Sequence, residues 1–209
     1  MFNQENITRK SNLSEDDSLS AYLEHPSQQN HYAFELFYNF IAEVKPRRIL
    51  EIGTAQGGFT MFLKLCCNDL NLNTNIRSYD IHGRHTYAGY IENGIDIRIK
   101  NVFSDDYTSV DSGVIEYIQS EGVTVVLCDG GCKISEFNIL SNHIKADDFI
   151  MAHDYAPTKK FFDETMYKKL WNWHEIQDSD ILDAVDRNKL ESYQSDNFTQ
   201  AAWVCKIKR

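Results

Sequence analysis

Short apolar runs alternate with helix-length amphipathic segments along most of the chain. The run Val123–Cys128 is rich in β-branched residues, which is typical of a strand buried on both faces of a sheet. From His31 to Val44 apolar residues recur every three or four positions, which predicts an amphipathic helix that ends before Pro46. The predicted strands span 48–52, 75–80, 96–100, 123–128 and 148–152, and further helices are expected at 58–67, 110–119, 133–144, 159–170 and 179–189.

Strands separated by helices predict βαβ units and therefore a parallel sheet with helices on both faces. The runs 190–193 and 201–207 break this rhythm, because too few residues separate them for a crossover helix. We expect them to pair as an antiparallel hairpin at the sheet edge. The polar residues 1–20 predict a flexible N-terminal arm ahead of a single domain at 21–209. The fold class predicted is α/β, a doubly wound, mainly parallel seven-stranded sheet with a C-terminal antiparallel hairpin.

Charge and composition favour some classes of binding partner over others. The chain has 209 residues and a formal charge of −10, which disfavours nucleic acid and favours a small-molecule acceptor. No apolar stretch approaches the roughly 20 residues of a membrane span, and the N-terminus has no secretory pattern, so no membrane association is expected. Five cysteines without a C-x-x-C pair favour the reducing cytoplasm. A homo-oligomer is compatible with the sequence.

A glycine turn follows the first predicted strand of the sheet. Gly53, Gly57 and Gly58 stand between that strand and a helix, where a ligand can approach the backbone near the positive end of the helix dipole. Their G-x-x-x-G-G spacing differs from the G-x-G-x-x-G of dinucleotide-binding enzymes. Asp80 closes the next strand, where a carboxylate can hold the ribose hydroxyls of a nucleoside cofactor. A plain glycine loop, and a turn cap at Asp80, are the alternatives.

With this order of strand, turn, helix, strand and acid, the chain from about 47 to 208 resembles the class I S-adenosylmethionine-dependent methyltransferases, whose sheet is Rossmann-like. The segment Glu51–Gly58, with Leu127–Gly130 and the pair His153-Asp154, is most similar to the cephalosporin hydroxylase and rhamnosyl O-methyltransferase group. The resemblance implies S-adenosylmethionine as cofactor and O-methylation of a small-molecule or sugar hydroxyl. The cofactor-binding residues that it implies are Glu51, Gly53, Thr54, Ala55, Gln56, Gly57, Asp80, Phe103, Asp105 and Asp129.

Those relatives, like catechol O-methyltransferase, hold a divalent metal with acids after the fourth and fifth strands. The matching positions are Asp129, His153 and Asp154, which implies a metal site, with Mg²⁺ as the expected ion. Gly131 and His153 stand where the group carries acids. The resemblance also implies catalytic roles for Asp129, Lys133 and His153, with either His153 or Lys133 as general base. A helix cap at Asp129, a solvated Lys133 and a polar strand exit at the His153-Asp154 pair are the structural alternatives.

Two other functions stay open at this point. An NAD-dependent oxidoreductase shares the sheet order and the ribose acid, although its glycine spacing differs. A non-catalytic protein that keeps only the cofactor fold is the second. Tyr155, Trp171, Trp173 and His174 are candidates for an acceptor pocket, and helix packing explains these aromatic residues equally well.

Overall fold

The computed structural model describes residues 3–9, 19–83 and 89–209. Its ten strands in the described ranges are β1 (Ile7–Arg9), β2 (Ser20–Tyr22), β3 (His25–Pro26), β4 (Arg48–Ile52), β5 (Asn75–Asp80), β6 (Ile95–Ile99), β7 (Thr124–Cys128), β8 (Phe149–Ala152), β9 (Leu190–Ser192) and β10 (Val204–Lys208). Seven of them form the main sheet, in the order β6-β5-β4-β7-β8-β10-β9. β10 runs antiparallel to both of its neighbours, and the other pairings are parallel.

Helices cover both faces of this sheet. They are α1 (Tyr32–Val44), α2 (Gly58–Asp69), α3 (Gly89–Glu92), α4 (Ser112–Gln119), α5 (Lys133–Leu140), α6 (Lys159–Phe161), α7 (Asp178–Asn188) and α8 (Ser195–Gln200). Helices α1, α2 and α8 pack on one face and α4, α5 and α7 on the other. The predicted doubly wound α/β fold, with its antiparallel C-terminal pair, is therefore confirmed. None of the helices in the described ranges has both the length and the apolar character that a membrane crossing requires.

Successive side chains along the strands point to alternate faces of the sheet, which divides the hydrophobic core into two layers. In β7, Val125 and Leu127 belong to the layer under α1 and α2, whereas Val126 and Cys128 belong to the layer under α4 and α5. Successive side chains of a strand point to opposite faces, so a strand covered on both sides is apolar throughout. This explains why almost all residues of the run 123–128 are hydrophobic.

The segment after β8 differs from the predicted helix over 159–170. A single helical turn, α6, passes into a π-helical turn at Phe162–Met166. The helix stops there because Tyr167 has an extended ψ of 128° and Lys168 has a positive φ of 58°. The chain then turns back and carries Trp171 to a buried position beside the end of β8. Tertiary contacts thus override the local helical pattern.

A second, small sheet packs against α2. In it β1 pairs with β2 and β2 with β3, both antiparallel. Residues 7–9 and 20 of the predicted arm belong to this sheet, whereas 1–2 and 10–18 lie outside the described residues. For those ranges the flexible arm stays a prediction.

Candidate active site

Two positions of the glycine turn combine a left-handed backbone with no room for a side chain. Gly53 has a φ of +98°, and a Cβ there would lie 2.1 Å from the backbone oxygen of Asp129. Gly57 has a φ of +83°, and its Cβ would lie 2.0 Å from the Tyr90 hydroxyl. Only glycine accepts this left-handed conformation without strain. The close approach of the turn to Asp129 brings the ends of β4 and β7 together at one point.

Asp80 ties the end of β5 to this turn. Its carboxylate accepts hydrogen bonds from the backbone N–H of Ala55 and of His82, both at 2.8 Å. These two bonds leave further lone pairs of the carboxylate free for a ligand. The side chain therefore has a fixed position at the edge of the open crevice.

A cavity of about 560 Å³ opens at the carboxyl ends of the parallel strands, where open α/β sheets bind their ligands. It runs from the glycine turn and Asp80 to the ends of β7 and β8. Trp171 and Trp173 line it, as two of the four candidate acceptor-pocket residues. The other predicted site residues along its wall are Gly53, Ala55, Asp80, Phe103, Asp129, Lys133, His153 and Asp154.

Five predicted cofactor residues are not among those that line the cavity: Glu51, Thr54, Gln56, Gly57 and Asp105. The Glu51 carboxylate is buried and accepts hydrogen bonds from the hydroxyls of Thr60, at 2.5 Å, and Ser78. Burial raises the pKa of Glu51 to about 7. Its hydrogen bonds therefore link β4 to α2 and β5, inside the protein. Asp105 is exposed in the turn after β6.

Asp129 follows β7 and has three polar neighbours. Its Oδ1 lies 3.0 Å from Nδ1 of His153, and its Oδ2 accepts a hydrogen bond of 2.9 Å from the amide nitrogen of Gln29. The third neighbour is the ammonium nitrogen of Lys133, 3.9 Å from Oδ1. Because parallel strands end at one edge, residues 24 positions apart in the sequence meet here.

Lys133 lies at the first turn of α5 and is almost fully enclosed. Its ammonium group contacts Asp154 at 2.9 Å, Glu175 at 3.0 Å and the backbone oxygen of Gly130 at 2.9 Å. Burial alone would lower the pKa of Lys133, but the carboxylates of Asp129, Asp154 and Glu175 raise it above its ordinary value. Lys133 is therefore a cation at neutral pH, with three hydrogen bonds that use its three donors.

Asp154 completes the cluster from the end of β8. It has a left-handed φ of 57°, and its Oδ1 accepts a hydrogen bond of 2.6 Å from the indole N–H of Trp171. Burial raises the pKa of Asp154, but the adjacent His153 and Lys133 side chains and the hydrogen bonds from Lys133 and Trp171 outweigh burial, so the pKa lies below its ordinary value. Asp154 is accordingly an anion at neutral pH.

Three residues of this site were not predicted from the sequence. Gln29 and Glu175 reach it from distant segments, 100 and 42 positions from their partners Asp129 and Lys133. Glu136 accepts hydrogen bonds from the backbone N–H groups of Gly130 and Cys132, at 3.1 Å each, and burial raises its pKa to about 7. An acid four residues into the segment after Cys132 was a local signal for Glu136, whereas no local signal marks Gln29 or Glu175.

The expected metal ligands do come together. One donor atom each from Asp129, His153 and Asp154 lies within 4.8 Å of the others, and the Nε2 atom of His153 is buried without a hydrogen-bond partner in the described ranges of the chain. Two carboxylates and an imidazole form a donor set that suits a divalent transition metal better than Mg²⁺. The ammonium group of Lys133 lies 2.9 Å from Oδ2 of Asp154, so the site also contains a positive charge of its own.

Comparison with known proteins identifies solved structures that share this fold. No family model matches this chain, and no curated protein matches it. The solved structure described as the CmcI-N160 apo-structure superposes with a TM-score of 0.66 at 14% identity, over 93% of this chain and 78% of that one. A second, described as cmcI-D160 Mg-SAM, gives a TM-score of 0.63 at 15% identity, over 90% of this chain and 75% of that one. This is the fold of the class I methyltransferases.

An O-methyltransferase family protein from Burkholderia thailandensis has the same fold, with a TM-score of 0.51 at 8% identity, over 85% of this chain and 56% of that chain. Identities this low establish the fold and leave the chemistry to the residues of the site. The resemblance derived from the glycine turn and Asp80 is thus confirmed at the level of the fold.

Proposed function

We propose that this protein is an S-adenosylmethionine-dependent methyltransferase that acts on a hydroxyl group of a small molecule or sugar. One observation carries the proposal: a single cavity joins the glycine turn and Asp80 to the charged cluster of Asp129, Lys133, His153 and Asp154. Its volume of about 560 Å³ lies within the range of roughly 300–1,000 Å³ that small-molecule sites occupy.

The two ends of this cavity suit different parts of the cofactor. The Asp80 carboxylate is available to the ribose hydroxyls, and the rings of Phe103 and Tyr107, stacked at 5.4 Å, form an apolar wall for the adenine together with Ile81. The positively charged sulfonium suits the acidic end of the cavity, near Asp129. This arrangement directs the methyl group toward the charged cluster.

Methyl transfer forms a bond between the acceptor oxygen and the methyl carbon while the carbon–sulfur bond breaks and its electron pair stays on sulfur. The acceptor hydroxyl must lose its proton, and Nε2 of His153 is the base that we assign, with Asp129 orienting the ring. Lys133 is unsuited to the role of base because its raised pKa keeps it protonated. Its three donors are already bonded to Gly130, Asp154 and Glu175, so it acts on negative charge that develops on the acceptor oxygen through its own positive charge.

If a divalent ion is held by Asp129, His153 and Asp154, His153 is a ligand and not the base, and the ion would instead supply Lewis acidity to the acceptor hydroxyl. The expected Mg²⁺ is one such ion, and the imidazole donor favours a transition metal. We also assign the protein to the cytoplasm, because all five cysteines are free thiols and a reducing compartment keeps them so.

Isothermal titration calorimetry of the full chain with S-adenosylmethionine, S-adenosylhomocysteine and NAD, each with and without Mg²⁺ and Mn²⁺, tests this proposal. We expect binding of the first two ligands and none of NAD. Binding of NAD alone would support the oxidoreductase instead, and absence of all binding would support the non-catalytic alternative. Release of S-adenosylhomocysteine in a panel of hydroxyl compounds then distinguishes an enzyme from a binding protein.

A further inference from the structure

Gln29 connects the N-terminal small sheet to the charged cluster. It lies between β3 and α1, it is fully buried, and its backbone oxygen accepts a 2.9 Å hydrogen bond from the N–H of Ser20 in β2. Its side chain spans the space between Trp203 and Asp129, with hydrogen bonds of 2.8 Å and 2.9 Å. The N-terminal segment thereby contributes a polar group to a site built mainly by the large sheet.

The chemistry of its two partners fixes the orientation of this amide. An indole N–H can only donate, so the Trp203 bond must end on the amide oxygen of Gln29. An ionised carboxylate can only accept, so the amide N–H₂ must face Asp129. Both partners therefore require the same orientation, and an amide flip would break both hydrogen bonds.

Two neighbouring groups, the Lys133 ammonium and the His153 ring, attract the carboxylate of Asp129. The Lys133 ammonium lies 3.9 Å from its Oδ1, outside hydrogen-bond distance, while Nδ1 of His153 lies at 3.0 Å from the same atom. A carboxylate that rotated toward Lys133 would gain a charge-assisted hydrogen bond. The Gln29 amide holds Oδ2 in place and so keeps Oδ1 on the His153 side.

This arrangement determines which nitrogen of His153 carries a hydrogen. Since Asp129 can only accept, Nδ1 carries a hydrogen, and a ring with a single hydrogen then has its lone pair on Nε2. Among the residues that the structure describes, Nε2 is buried and has no hydrogen-bond partner, and the ring is held between Trp171 and Trp203, with centroid distances of 4.8 Å to each. The hydrogen bond to Asp129 thus leaves the Nε2 lone pair unused, and a base or a metal ligand requires such a lone pair.

We propose that Gln29 is a positioning residue that fixes Asp129 against His153 and so keeps the Nε2 lone pair of His153 free. The role given to that lone pair rests on the proposed function, whereas the tautomer is a property of the protein itself. Partners of this kind, which orient a functional imidazole, typically contribute 10–100-fold to activity or metal affinity.

Nitrogen-15 NMR of the histidine-labelled full chain tests the inference without any substrate. Spectra are recorded at pH 8, and the protonated and unprotonated nitrogens of an imidazole ring have well-separated frequencies. We expect the wild type to show Nδ1 protonated and Nε2 unprotonated. The His153 signals are assigned by their loss in His153→Asn, or by through-bond backbone correlation if that variant does not fold.

In Gln29→Met, which removes both hydrogen bonds at similar volume, the two frequencies should move toward each other as the tautomers mix. Gln29→Leu provides a second test, because its apolar side chain has no N–H for Asp129 and no acceptor for Trp203. The matched control is Asn30→Ala at the adjacent buried position, whose amide bonds the backbone oxygen of Gln200 at 3.0 Å. This control should leave the His153 tautomer unchanged.

The inference is overturned if the wild type has Nδ1 unprotonated, if both Gln29 variants retain the wild-type tautomer, or if Asn30→Ala shifts it equally. Calorimetry with S-adenosylmethionine on the same samples keeps the two proposals apart. We expect its dissociation constant to stay within twofold in Gln29→Met. A wild type that binds no cofactor would overturn the proposed function and leave the tautomer result standing.

Discussion

Replacement of Lys133 by Met should destabilise the protein far more than the loss of an ordinary surface ion pair. The Lys133 side chain is 8% exposed and neutralises Asp154 and Glu175 at 2.9 and 3.0 Å. Met keeps the apolar stem but leaves these carboxylates without their cation. Breaking a buried ion pair in this way typically costs about 3–5 kcal/mol. For a domain of this size that corresponds to a fall in melting temperature of about 6–20 °C.

Urea and thermal denaturation at pH 7, followed by circular dichroism, measure this effect. Lys160→Met is the control, since Lys160 is 80% exposed and lies 3.9 Å from Glu164 one helical turn away. We expect it to change the stability by less than about 0.5 kcal/mol. A double variant that adds Asp154→Asn should regain part of the loss. Equal, small effects of both single lysine variants would refute the reasoning.

The free energy of unfolding at alkaline pH tests the ion pairs of Lys133 independently. A raised pKa means that the folded state holds the proton more tightly than the unfolded state. The stabilisation is therefore complete below the ordinary lysine value of about 10.4 and declines as pH rises through the higher pKa of the folded state. The ion pairs of Lys133 should accordingly persist unchanged between pH 6 and pH 9.

Three further changes test other parts of the site. Asp80→Ala should weaken S-adenosylmethionine binding by about 1–3 kcal/mol in calorimetry, while Asp105→Ala, at an exposed position outside the cavity wall, should leave it unchanged. Glu51→Gln should flatten the decline in unfolding free energy that we expect between pH 4.5 and about 7, where the unfolded state loses its proton before the buried carboxyl does; an unchanged slope in urea titrations contradicts this. Gly53→Ala should disrupt the turn, because its Cβ would overlap the Asp129 backbone oxygen, and normal stability with normal cofactor binding argues against the geometry described.

The sheet and the strand-end residues could be predicted because their signals are local. The continuous apolar run 123–128 marks a central strand, and an acid placed directly after it, Asp129, must lie at the carboxyl edge where ligands bind. The same reasoning gives Asp80 and Asp154. Parallel pairing then brings these three side chains to one edge without any knowledge of long-range contacts.

Other parts of the site depend on contacts between distant segments. Gln29 and Glu175 have no local pattern, since each acquires its role from a partner far away in the chain. The charge state of Lys133 follows from three carboxylates that only the folded chain gathers. Likewise, the helical spacing at 159–170 carries no sign of the turn that places Trp171 against Asp154.

Glu51 illustrates a different limit of prediction from the sequence. Its place in the glycine-turn segment predicts a cofactor contact, yet the hydroxyls of Thr60 and Ser78 take up its carboxylate inside the protein. A motif gives the position of a residue along the strand. It does not give the direction of the side chain relative to the cavity.

A crystal structure of the protein with S-adenosylhomocysteine tests the central claim most directly. We predict an adenosyl group in the cavity with its ribose hydroxyls within hydrogen-bond distance of the Asp80 carboxylate, and with its sulfur at the end lined by Asp129 and Lys133. Density for the compound elsewhere on the protein, or a cavity that holds only water at saturating ligand, would contradict the account.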